Sequence, residues 1–229
     1  NDGDLDILLA GISSSGYISK VYQNNGNNSF TEQTGIKLQG VAYCTAAWAD
    51  TNNDGFLDIF LSGLTGNNQR ISRIYQNNGN NTFTELSYLY LAGAFYSASA
   101  FGDYDNDGDL DLVITGALTS SMIAVVYRNE GNNLFVQQSG ISPLPVSNGA
   151  VAWADCDNDG DLDLIISGYN NPDVICRIYR NNGNNTFTER TDISITGIEG
   201  GSVGWGDYDN DNDLDLLITG KTSTSYVSK

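Results

Sequence analysis

Asp103-Tyr104-Asp105-Asn106-Asp107-Gly108-Asp109-Leu110-Asp111 decides the reading of this chain. Carboxylates stand at positions 1, 3, 5 and 9 of the stretch, another at position 7, and a glycine at position 6. Oxygen donors on alternate residues of a tight turn, with glycine allowing a sharp bend, are what a hard cation such as Ca2+ requires. Without a cation the five charges repel one another across a few ångströms. The pattern returns as Asp50, Asn52, Asp54, Gly55, Asp58, with Phe56 at position 7. It returns again as Asp155, Asp157, Asp159, Gly160, Asp161, Asp163, and as Asp207, Asp209, Asp211, Asn212, Asp213, Asp215. A truncated copy, Asp2-Gly3-Asp4-Leu5-Asp6, opens the chain. One such loop could be an acidic, solvated turn. Four complete copies at matching places favour metal, with four complete Ca2+ sites and one truncated site expected.

The loop is not an EF-hand, which needs a carboxylate at position 12 and a helix on either side. Position 12 here is Leu61, Ile114, Ile166 or Ile218, inside a short apolar stretch such as Leu110-Asp111-Leu112-Val113-Ile114-Thr115-Gly116. Such a stretch reads as a strand, so the loop joins two strands. Position 7 varies in residue type, which suits a backbone carbonyl ligand with its side chain directed to solvent. Asp109 is the instance to test.

Asp6, Asp58, Asp111, Asp163 and Asp215 are spaced by 52, 53, 52 and 52 residues. That is an array of one supersecondary unit. Each unit carries four strand candidates. The first, rich in small residues, runs into the metal loop: 45–49, 98–102, 150–154 and 202–206. The second follows the loop and is apolar on both faces, as a strand between stacked sheets should be. The third ends at Val21-Tyr22, Ile74-Tyr75, Val126-Tyr127 or Ile178-Tyr179. An Asn/Gly-rich turn follows, where positive φ is tolerated, and the fourth strand starts at Phe30, Phe83, Phe135 or Phe187. Recurrence of these Tyr and Phe residues in every unit points to packing between repeats rather than to a ligand-stacking series. The sequons at Asn27, Asn80 and Asn184 are already explained as turns.

Short four-stranded units, apolar on both faces, stack as blades of a β-propeller. The expectation is an all-β fold of about four 52-residue repeats forming part of a larger ring. The chain reads as a single array over 1–229, with a partial repeat at 1–40, repeats at 41–92, 93–144 and 145–196, and a partial repeat at 197–229. Since 1–20 and 210–229 are equivalent stretches, the repeats are expected to form an open arc. It would be cut from something longer or paired edge-to-edge with another copy.

The segments 153–164 and 178–188 together resemble the FG-GAP/VCBS repeat, the family that includes the integrin α-subunit propeller and many secreted bacterial proteins. The resemblance covers the whole chain. It implies blades in which the metal loop joins the strand nearest the axis to the next. It also implies that ligands are met on the opposite face, by the loops joining strands two to three and four to one. Asn52 in place of a carboxylate and Asn212 in place of glycine imply weaker sites at those two loops.

The formal charge of −18 is located in these loops: every aspartate except Asp173 and Asp192 belongs to one. Five divalent ions would bring it to about −8, ordinary for a soluble protein. Lys and Arg are scattered singly, so there is no footprint for nucleic acid. No apolar run is long enough for a membrane-spanning helix. Cys44, Cys156 and Cys176 read as free thiols, although Cys156 and Cys176 could pair.

The leading expectation is a calcium-stabilised scaffold or adhesion module of a secreted or cell-surface protein, with a protein or glycan partner. Extracellular calcium would keep the sites filled, whereas cytosolic levels would not. A carbohydrate-binding lectin is the alternative, with Tyr88, Tyr90, Phe95, Tyr96 and Tyr169 as candidate platforms. Catalysis, for instance on polysaccharides, is not expected. There is no histidine, nearly all the aspartates are assigned to metal, and Glu32, Glu85, Glu130, Glu189 and Glu199 remain as the unpaired candidates.

Overall fold

The computed structural model describes residues 3–229, and Asp2 of the truncated loop lies outside them. Every regular element is a strand, and all strand pairs are antiparallel. The chain divides into two compact units, Asn1–Phe95 and Tyr96–Lys229.

The first unit holds β1 (Ile7–Ser13), β2 (Gly16–Asn24) and β3 (Phe30–Glu32), then β4 (Val41–Ala49), β5 (Asp58–Thr65), β6 (Arg70–Asn77) and β7 (Phe83–Glu85). A single residue pair, Ile18 with Val41, joins the two groups of strands. They are therefore two neighbouring sheets, hydrogen-bonded at one corner and packed against each other through a shared core. β5 is buried along nearly its whole length, as its apolar sequence requires. Val21, Ile59, Leu61 and Tyr75 form the core, with Leu8, Trp48 and Phe83 packed against it. The side chains of Leu5, Ile7, Leu9 and Ile12 are exposed.

The second unit holds one sheet of β8 (Phe95–Gly102), β9 (Asp111–Ala117), β10 (Met122–Asn129) and β11 (Phe135–Gln137). A second sheet contains β12 (Ser147–Ala154), β13 (Asp163–Asn170), β14 (Asp173–Asn181) and β15 (Phe187–Glu189), and a third contains β16 (Glu199–Gly206), β17 (Asp215–Lys221) and β18 (Tyr226–Ser228). The bridge Ile123–Val146 repeats the corner contact of the first unit.

Packing between these sheets follows one scheme. Tyr104 is buried, stacked on Trp153 at 5.8 Å and edge-on to Phe187 at 5.7 Å. The Trp153 indole donates to the Ala100 carbonyl (3.3 Å), and Leu144 N–H donates to the Tyr179 hydroxyl (2.9 Å). In the first unit Gln39 N–H likewise donates to Tyr75 (3.2 Å). The recurrent Tyr75, Tyr179, Phe83 and Phe187 therefore pack between repeats, as expected, whereas Phe30 is exposed.

The first strand of each repeat is longer than the small-residue run suggests. β4, β12 and β16 each contain a register shift near their start. At that shift one residue turns left-handed: Tyr43, Asn148 or Gly200, with φ of 48°, 51° and 57°. Tyr96 in β8 has φ 47°. A bulge lets the strand continue through residues whose alternation is broken, so periodicity alone places its start too late.

Candidate metal centre

Each loop is built by its own carboxylates. Position 1 accepts the N–H groups of positions 5 and 6: Asp103 takes Asp107 at 3.0 Å and Gly108 at 2.9 Å. Asp50, Asp155 and Asp207 do the same at 2.9–3.1 Å. Position 5 accepts from position 7, as in Asp109 N–H to Asp107 (2.9 Å). Position 6 is left-handed in every complete loop, with φ of 85°, 93°, 91° and, for Asn212, 71°. Glycine suits that conformation, and asparagine is the side chain that tolerates it best.

Position 9 is a structural clasp. One oxygen of Asp111 accepts from Tyr104 N–H (3.0 Å) and the other from Asn129 N–H (2.8 Å), tying the loop to the end of the third strand. Asp58 repeats this with Thr51 and Asn77, and Asp163 with Cys156 and Asn181. The Cys156 thiol adds a bond to Asp163 at 2.8 Å, and burial first, then that bond, pushes it up to about 12. All three cysteines are free.

Three loops gather carboxylates tightly enough for a cation. Oxygens of Asp103, Asp105 and Asp111, of Asp155, Asp157 and Asp159, and of Asp207, Asp209 and Asp215 lie within 4.8 Å of one another. The Asp50 loop, with Asn52 at position 3, brings Asp50, Asp54 and Asp58 onto the same turn, and Asn52 donates to Asp54 at 2.9 Å. The Asp105 side chain is only 9% exposed, yet its Oδ1 has no hydrogen-bond partner. Burial pushes both Asp105 and Asp111 upward, Asp111 to about 7. A buried, orphaned carboxylate oxygen beside two further carboxylates fits a hard divalent cation, which would supply the missing charge.

Position 7 departs from the expectation of a solvent-directed side chain. The Asp161 carboxylate lies against Gly183, where an added Cβ would come within 2.7 Å of its Oδ2, and Asp109 lies similarly against Gly131 at 3.2 Å. In the first unit Asp4 approaches Gly26 and the Phe56 ring covers Gly79. Asp161 also accepts a bond from Asn106 (2.8 Å), and Asp213 accepts one from Asn158 (2.8 Å). Position 7 thus joins its loop to its own outer turn and to the preceding loop.

Three sets of residues escaped the reading of the sequence. Position 4 is Asn53, Asn106, Asn158 or Asn210, left-handed in every case. The asparagine closing the third strand is buried at 129 and 181. Asn181 donates to the carbonyls of Leu162 (3.3 Å) and Tyr104 (2.7 Å) and accepts from Gly183 N–H (3.1 Å). Finally, Arg180 sits beside Asp157 and Asp159, and Arg128 beside Asp105. The signal for the asparagines was their recurrence at the repeat spacing.

The sequence matches the FG-GAP-like repeat family over residues 1–61, 61–114 and 155–218. The chain belongs to the FG-GAP-like repeat family. One relative, a T-cell immunomodulatory protein homolog of Plasmodium yoelii yoelii, is 27% identical over 120 residues. That match takes in 43% of this chain and only 17% of the relative. Among solved structures, an Agrocybe aegerita lectin described for specific recognition of non-reducing terminal N-acetylglucosamine superposes with a TM-score of 0.57 at 16% identity. The alignment covers 98% of this chain and 65% of the lectin. This FG-GAP-like chain thus shares an overall fold with that protein.

The aromatic candidates are placed as follows. In the first unit Tyr88 and Tyr90 are 57% and 95% exposed, and Phe95 lies under the Arg70 guanidinium at 5.0 Å. In the second unit Tyr96 is 41% exposed and the Tyr169 hydroxyl donates to Asn171 at 3.0 Å. All five glutamates are ion-paired: Glu32 with Lys20, Glu85 with Arg73, Glu130 with Arg128, Glu189 with Arg177 and Glu199 with Lys221. No helix in the described residues is long and apolar enough to cross a membrane.

Proposed function

We propose that this chain is a calcium-binding β-propeller segment, a non-catalytic scaffold or adhesion module of a secreted or cell-surface protein. The observation that carries the reading is the buried, unpartnered Oδ1 of Asp105 within the Asp103/Asp105/Asp111 group. Asp103, Asp105, Asp107 and Asp111, with the backbone carbonyl of Asp109, would hold the ion. The equivalent sets are Asp50/Asn52/Asp54/Phe56/Asp58, Asp155/Asp157/Asp159/Asp161/Asp163 and Asp207/Asp209/Asp211/Asp213/Asp215. Bound calcium would neutralise each carboxylate group and lock one inter-strand loop. Family membership and the likeness to the Plasmodium protein support a location outside the cell, where calcium is plentiful. Edge-to-edge association through the exposed Leu5, Ile7, Leu9 and Ile12 belongs to the same reading, and light scattering in calcium tests it. The metal reading is tested by calorimetric titration of the chelator-treated chain. About four ions are expected per chain, and no heat of binding would overturn it.

A second reading, glycan binding, is favoured by the half-exposed ring of Tyr96 and by the fold shared with a lectin. A glycan array probed with and without Tyr96→Ala in calcium separates the readings, since an adhesion scaffold without a sugar site would give no spot sensitive to that change.

A further inference from the structure

In two loops the protein brings its own cation. Arg180, in β14 between Tyr179 and Asn181, projects from the third strand onto the metal loop of the same repeat. Its Nε lies 2.8 Å from Asp157 Oδ2 and its Nη2 lies 3.0 Å from Asp159 Oδ2. One guanidinium therefore spans positions 3 and 5, two of the three carboxylates that form the cation-sized group in this loop. The equivalent Arg128 reaches only position 3, with Nη1 3.6 Å from Asp105 Oδ2, because Glu130 engages its Nε and Nη2. In the first unit the same place holds the uncharged Gln23 and Gln76.

We infer that Arg180 is a resident counter-cation of the Asp155 loop and lowers its affinity for calcium by competing for the carboxylates of Asp157 and Asp159. The inference rests on the calcium reading above. A planar guanidinium donates along two directions at once and stays charged at any working pH. It holds the oxygens it touches in a geometry suited to N–H donors, not to an ion that needs them converging on one point. Calcium entry at this loop is then an exchange, in which the guanidinium leaves at least one carboxylate as the ion arrives. Without calcium, the same contact offsets part of the repulsion among Asp155, Asp157 and Asp159. The Asp103 loop feels a weaker form of this, and the Asp50 loop none of it from this position. Sites built on one plan thereby acquire different thresholds.

Position 6 supplies a reporter in three of the loops: the amides of Gly55, Gly108 and Gly160 each donate to the first aspartate of their own loop. Calcium titration of the full 229-residue chain, followed by 15N–1H correlation spectra, reads each glycine separately. Arg180→Gln installs the residue found at Gln76. The midpoint for Gly160 is expected to fall about fivefold, with Gly55 unmoved, and the variant should melt lower than wild type in EGTA. The reciprocal Gln76→Arg variant is expected to raise the Gly55 midpoint by a smaller factor, about twofold, because position 3 there is Asn52 and only Asp54 offers a carboxylate at positions 3 and 5. It decides the matter should Arg180→Gln fail to give a dispersed spectrum. A Gly160 midpoint that is unchanged or higher in Arg180→Gln, or a Gly55 midpoint unchanged in Gln76→Arg, overturns the arginine's role while leaving the metal reading intact. If none of the three glycines responds to calcium in the wild type, the metal reading fails and the competition with it.

Discussion

The Asn158 amide lies 2.8 Å from a carboxylate oxygen of Asp213 and 3.2 Å from the Asn212 carbonyl, so the fourth residue of one loop grips the sixth and seventh of the next. Asn106 makes the same pair of bonds to Asp161 and Gly160. Replacing Asn158 by glycine keeps the left-handed turn and deletes only the bridge. The cost expected is about 0.5–1 kcal/mol, since the contact is exposed and solvent-screened. Alanine at the same place adds left-handed strain of about 1 kcal/mol. Urea unfolding of both variants checks the order, and a glycine variant less stable than alanine would contradict it.

On the proposed calcium reading, ion binding and fold stability are linked. A site with Kd of about 10 µM at about 1 mM free calcium would stabilise the folded state by about 2.7 kcal/mol. EGTA is therefore expected to lower Tm by several degrees, and added calcium to restore it. Differential scanning calorimetry with an EGTA-then-calcium cycle measures this, and an identical Tm in both states would refute it.

Asp111 and Asp105 separate the two jobs of the loop. Asp111 accepts from two backbone N–H groups, so Asp111→Ala is expected to cost about 2–4 kcal/mol even in EGTA. Asp105→Asn removes a buried charge with an orphaned oxygen. In EGTA it is expected to be neutral or to stabilise by up to about 1 kcal/mol, while weakening calcium binding at that loop. Melting each variant with and without calcium tests the pair. Equal losses in EGTA would mean that position 9 is no clasp.

The pH response should change sign with calcium. Burial raises Asp111 to about 7 and raises Asp58 and Asp163 in the same direction. Such groups hold their protons in the folded chain after the unfolded chain has lost them. The metal-free protein therefore loses stability as pH rises from about 4 to about 7. In EGTA, Tm is expected to rise on going from pH 7.5 to pH 5. In calcium it should fall over the same interval, because protons then compete with the ion. Asp159 and Asp192, both held low by arginines, act only in more acidic solution. A Tm in EGTA that drops on acidification would count against the assignment.

Much of this architecture was legible in the chain because it recurs. The spacing of Asp58, Asp111 and Asp163 located the loops, and apolar runs such as Leu112-Val113-Ile114 located the buried second strands. What stayed hidden depends on geometry across repeats or on backbone handedness. Asn158 and Asp213 are 55 residues apart, and no local pattern pairs them. Asp161 looked free to face solvent because a varied position suggests indifference. The turn at Gly183 draws it inward instead. Tyr43 and Tyr96 carry no composition signal for positive φ, so the bulges that lengthen the first strand could not be foreseen.

Asn181 and Asp163 have a mechanical consequence. Through them the turn after the third strand is fastened to the start of the second, to the Leu162 carbonyl and to the Tyr104 carbonyl in the loop between β8 and β9. A pull applied at that turn does not unzip β15 and β14 one bond at a time. The load passes at once into the loop and the adjoining sheet, so several bonds must rupture together before any strand can peel away.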